Sequence, residues 1–74
     1  MRSFVEIIDA FGGSFGAAIG IPDSHARAMR ARKSIPDGYW LRVVRAAEDR
    51  GIEGVTLESF AELAKERLEE RAAQ

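Results

Sequence analysis

Glycine and proline interrupt this chain so often that no regular element before residue 55 can be long. Gly12-Gly13, Gly20 with Pro22, Pro36, and the stretch from Gly51 to Gly54 divide it into short segments, because glycine admits backbone conformations that end helices and proline cannot continue one. Between the interruptions, apolar residues recur at helical spacing. Phe4, Ile7, Ile8 and Phe11 form one stripe over Ser3 to Phe11. Gly12-Gly13 ends that segment, and Ser14 is placed to cap a second short helix, Phe15 to Ile19, which Gly20 stops. Ile21-Pro22 makes a bend, and Asp23-Ser24 suits the first turn of a third helix running to about Lys33. Pro36-Asp37 can open a fourth helix through about Arg50, with Trp40, Val43, Val44 and Ala47 on its apolar side. Thr56 is a good cap for a last helix over residues 56–73, with Leu57, Phe60, Ala61, Ala64 and Leu68 along one face. No segment alternates over enough residues for a sheet. The expectation is a single all-α domain, residues 1–74, of about five helices.

The 74 residues leave room for one small core, so a partner subunit would be a welcome source of buried area. With no cysteine, disulfides and thiol chemistry are excluded. No apolar stretch approaches the roughly 18–20 residues of a membrane span, and Glu6 stands where a signal peptide would keep an apolar run. The expected location is therefore the cytoplasm, with no membrane partner.

A net charge of −1 conceals an asymmetry. Up to Ala46 there are seven bases and four acids, a net of +3; beyond it there are four bases and eight acids, a net of −4. Four of the bases, Arg27, Arg30, Arg32 and Lys33, fall within seven residues. A local basic patch, more than the total charge, sets the field a nearby phosphate feels.

The segment Ser14 to Ala31 has the pattern of two short helices joined by a tight glycine turn, the helix-turn-helix arrangement. It needs a small residue where the helices approach, a glycine at the turn and an apolar residue after it; Gly16, Gly20 and Ile21 meet these needs. Ala26 and Met29 supply inward positions on the second helix, leaving Asp23, Ser24, Arg27, Ala28 and Ala31 facing away from the core. Such a face can enter a DNA major groove.

Further residues fall in a specific order: Phe11-Gly12-Gly13, then Ala18-Ile19-Gly20-Ile21-Pro22-Asp23-Ser24, then Arg32-Lys33-Ser34-Ile35-Pro36, Tyr39-Trp40, and Arg50-Gly51-Ile52 with Val55-Thr56-Leu57-Glu58. In this set, spread from about Phe4 to Ala64, the chain resembles the small Cro-like repressors of phages and bacteria, in the lambda-repressor-like superfamily. It is most similar to the subgroup with Ile-Pro and then Tyr-Trp after the recognition helix. The resemblance implies a DNA-binding transcriptional regulator, often dimeric, located with the nucleoid. Ala26 and Met29 depart from the β-branched residue and tryptophan common there, and Asp23 replaces a neutral polar residue.

The candidate base readers on the helix 23–33 are Asp23, Ser24, Arg27 and Ala28. The candidate phosphate contacts are Ser14, His25, Arg30, Arg32, Lys33 and Ser34. Leu57, Phe60, Ala61, Ala64 and Leu68 are the candidate homodimer residues, with Leu57 and Phe60 inward and Leu68 towards the partner. Tyr39 and Trp40 are read as core anchors. His25 has no second ligand at a suitable spacing, and the glycines lack the Gly-Lys-Ser/Thr of a phosphate loop, so no metal, cofactor or catalysis is expected. The rival reading is a protein-interaction module whose acidic C-terminal part binds a transcription-machinery protein, with DNA binding weak or lost.

Overall fold

A computed structural model describes residues 3–72 of the chain, with side chains described over residues 3–69; residues 1, 2, 73 and 74 of the expected boundaries lie outside that range. The fold is all-α. Five helices follow in order: α1 (Phe4–Asp9), α2 (Phe15–Ile19), α3 (Asp23–Arg32), α4 (Trp40–Asp49) and α5 (Leu57–Ala72). No strand occurs among the described residues.

Side-chain caps open α1 and α5. Ser3 opens α1 by accepting a hydrogen bond from the Glu6 amide at 3.1 Å. Thr56 and Ser59 open α5 reciprocally: the Ser59 amide donates to Thr56 Oγ1 and the Thr56 amide donates to Ser59 Oγ, both at 3.0 Å. Ser14 differs from expectation. Its hydroxyl donates to the Phe11 carbonyl at 2.7 Å and makes no cap to α2. The Ser14 amide donates to the same carbonyl, so both groups close the turn through Gly12 and Gly13, whose φ values are +58° and +86°. The fourth helix also opens differently. Asp37–Tyr39 form a single 3-10 turn, and regular α-helix begins at Trp40.

The core is built from Phe4, Ile7, Ile8 and Phe11 at α1, Phe15 and Ile19 on α2, Ala26 and Met29 on α3, Ile35 between helices, Val43, Val44, Ala46 and Ala47 on α4, Val55, and Phe60 and Leu63 on α5. Three aromatic rings run through it in series. Phe60 is fully buried and stacks on Phe4 at 6.0 Å and on Trp40 at 5.5 Å. The half-buried Trp40 donates its indole N–H to the Ile35 carbonyl at 2.8 Å, fixing the segment after α3 to α4.

This arrangement corrects the reading of α5. Phe60 belongs to the domain's own core and has no surface to offer a partner. Leu57, expected inward, is 49% exposed, and Leu63, absent from the expected stripe, is buried in its stead. At 3.6 residues per turn, Leu57, Ala61 and Leu68 stand about 60–100° around the helix from Phe60. The apolar residues of α5 therefore form two adjoining faces, one buried (Phe60, Leu63) and one outward (Leu57, Ala61, Leu68), with half-buried Ala64 at their boundary.

Candidate nucleic-acid interface

The site is built on α2, the turn Gly20–Pro22 and α3. Gly20 turns the chain at φ +75°, a conformation that costs residues with a Cβ about 1–2 kcal/mol. The amides of Gly20 and Ile21 both donate to the Gly16 carbonyl, closing α2. Gly16 itself is needed for close approach: a Cβ there would lie 3.0 Å from the Ile21 carbonyl oxygen and 3.3 Å from the Ala26 Cβ. Gly16 and Ala26 are thus two small residues in mutual contact, which lets α3 lie directly against α2.

With Ala26 and Met29 buried, the opposite side of α3 faces solvent. Asp23, Ser24, Arg27 and Ala31 are exposed and Ala28 is half-buried. Arg27 is 80% exposed and pairs along the helix with Asp23 at 2.9 Å. That contact lies on the surface and is readily exchanged for another anion or for a base edge. Arg30 is held differently. Its Nε and one terminal nitrogen grip both oxygens of Asp9 at 2.8 and 3.1 Å. The bidentate bond pulls the Asp9 carboxyl below its ordinary pKa and raises that of Arg30. Arg30, expected to hold a phosphate, therefore already has a carboxylate partner on α1.

At the end of α3, beside the half-buried Ser34, Arg32 and Lys33 carry basic charge with no ion pair among the described residues. Lys33 adopts φ +56°, the one non-glycine residue in the left-handed region among those described. Its amide donates to the Arg30 carbonyl and that of Ser34 to the Met29 carbonyl, each at 3.1 Å, the paired closure that favours glycine at this position.

At the other end of α3, the exposed His25 ring packs edge-on against Tyr39 at 5.7 Å, and the Arg42 guanidinium lies 5.6 Å from the centre of the Tyr39 ring. Tyr39, read as a core anchor, is half-buried and faces this cluster. Reading the sequence did not single out Arg42; the 3-10 turn carries Tyr39, whose ring meets both Arg42 and His25, and charge spacing on either helix does not signal that position. The Ser14 hydroxyl donates to the Phe11 carbonyl in the turn before α2, so its proton is already engaged. Among the described residues, no three His, Cys, Asp or Glu side chains gather as metal ligands, and no helix is long and apolar enough to cross a membrane. No known protein family, curated protein or solved structure matches this chain.

Proposed function

We propose that this chain is a sequence-specific duplex-DNA-binding regulator that reads the major groove with α3. The supporting observation is the sidedness of α3: Ala26 and Met29 are buried against α2 and the core, while Ser24 and Arg27 project outward and Arg32 and Lys33 crown its end. An arginine fork matches the two major-groove acceptors of guanine, and terminal lysine and arginine suit the flanking phosphates. Arg42, whose guanidinium lies over the Tyr39 ring, extends the positive surface beyond the helix start. The resemblance to Cro-like regulators points the same way.

Titration of labelled duplex at about 50 and 200 mM salt tests the proposal, since a protein making several phosphate contacts loses orders of magnitude in affinity over that range. Selection from random duplexes should recover a preferred site. Absence of binding at the lower salt, or affinity indifferent to salt, would sink the DNA reading. The protein-interaction reading would then take its place, with the outward Leu57, Ala61 and Leu68 face as its surface.

A homodimer accompanies the DNA reading. One domain of this kind covers too few base pairs for useful specificity, and two copies double the interface. Leu57, Ala61, Ala64 and Leu68 follow spacings of four, three and four, the repeat of a two-helix seam.

A further inference from the structure

The end of α3 is held from outside the helix. A helix leaves its last four carbonyls without partners inside it. Here the turn amides of Lys33 and Ser34 take the Arg30 and Met29 carbonyls. The carbonyls of Arg32 and Lys33 are taken by a residue distant in sequence: the guanidinium of Arg67, on α5, donates one N–H to each, at 3.0 Å in the case of Arg32. The stem of Arg67 is half-buried in a groove also lined by Phe4, Val5 and Leu63. The fork geometry of arginine suits two adjacent acceptors, and a cation at a helix C-terminus is favoured by the helix dipole. The same placement puts a third positive charge beside Arg32 and Lys33. Two fixed hydrogen bonds and the dipole oppose that repulsion, and an approaching phosphate would relieve it.

We infer that Arg67 is a positioning residue for the recognition helix: through the Arg32 and Lys33 carbonyls it fixes the basic end of α3 relative to α5. The inference rests on the DNA-binding reading for its functional consequence, whereas its structural part is independent of it. Arg67 holds the segment Arg32–Ser34 at one place on the domain surface, so the phosphate-facing groups keep a constant offset from Ser24 and Arg27. Helix α5, which carries the outward apolar face, is thereby coupled to the helix that reads DNA.

The test compares the full chain with Arg67→Met, which keeps the stem and removes the donors, and with Arg67→Lys, which keeps a charged donor. Amide hydrogen exchange is read residue by residue, and affinity is read on the duplex that the wild type recovers by selection. In Arg67→Met the Lys33 and Ser34 amides should exchange about tenfold faster while those of α1 and α4 stay protected. Affinity should fall about tenfold with an unchanged salt slope, and Arg67→Lys should recover part of both. Unchanged exchange at Lys33 and Ser34 overturns the inference. So does a salt slope lowered by about one unit without faster exchange, which would make Arg67 itself a phosphate contact. An affinity loss that merely tracks the folded fraction reduces Arg67 to a structural residue and overturns it as well. Should the wild type recover no duplex, the DNA reading fails and the exchange at those two amides alone decides. Should Arg67→Met fail to fold, Arg67→Lys decides by the same two amides: its ammonium cannot reproduce the fork, so intermediate acceleration supports the inference and none defeats it.

Discussion

Lys33 sits where a helix of this kind is best closed by glycine. Its φ of +56° carries a steric cost of about 1–2 kcal/mol. A strained side chain at a helix end is kept when the side chain does something else, and here it adds charge to the end of α3. Lys33→Gly should therefore raise the unfolding free energy by about 1 kcal/mol while weakening binding to all duplexes alike and lowering the salt slope by about one unit. Chemical denaturation and titration on the same sample check both halves. Arg27→Ala, in contrast, should cost roughly 1–3 kcal/mol on the preferred duplex and relax selectivity at one base position, since the proposed groove reading sets its fork against a base edge. Unaltered base preference in a folded Arg27→Ala protein would remove Arg27 from the groove. The ion pair of Arg30 with Asp9 gives a prediction of opposite sign. Asp9→Asn removes the competing carboxylate, so Arg30 becomes available to phosphate, and the salt slope should steepen by about one unit. An unchanged slope would show that Arg30 stays clear of DNA in either form. These assignments differ in how visible they are from sequence. Arg27 lies opposite Ala26 and Met29 on one helix, so local periodicity suffices to place it. The partner of Arg30 lies 21 residues away, and Arg67 reaches backbone carbonyls 34 and 35 residues away; no periodicity reports such contacts.

At the scale of elements, the contact between α2 and α3 depends on Gly16. Alanine usually improves a helix by about 1 kcal/mol over glycine. Here its Cβ would press on the Ile21 carbonyl, part of the backbone turn that Gly20 sets, and on the buried Ala26. The clash should outweigh the propensity gain, so Gly16→Ala should lower the melting temperature and Gly16→Val should lower it further. A stabilised Gly16→Ala would mean that α3 can move away from α2 without loss. The positions of α1 to α4 were legible because glycine and proline mark their ends and because each short helix has one apolar face. Helix α5 was less legible for a related reason. Its outward Leu57, Ala61 and Leu68 adjoin its inward Phe60 and Leu63, so the sequence presents one broad band where the fold makes two surfaces. The stack of Phe60 between Phe4 and Trp40 fixes which edge of that band faces inward. Phe60→Ala should remove that anchor at a cost of about 3–5 kcal/mol, a large share of what a domain of this size possesses.

For the whole molecule, the outward face of α5 is the surface on which the proposed homodimer rests. Leu57 and Leu68 are 49% and 67% exposed, and Ala61 lies exposed between them. If a second copy covers this face, a two-fold arrangement repeats α3 on the partner, and a two-fold protein calls for a palindromic site with half-sites about 34 Å apart, one helical turn of DNA. The seam is small, two leucines and two alanines per copy, so its affinity should be modest without DNA and be reinforced when both recognition helices are engaged on one duplex. Leu68→Lys separates this from a role in the monomer. The side chain is mostly exposed, so the substitution should leave the melting temperature of a dilute sample nearly unchanged. It should nonetheless shift sedimentation towards the 8.2 kDa species and flatten binding to a palindromic duplex into two independent steps, while binding to a single half-site stays as tight as in the wild type. Sedimentation of the wild-type chain at tens of micromolar as an 8.2 kDa species alone, with and without a palindromic duplex, would leave the outward face of α5 to a different protein.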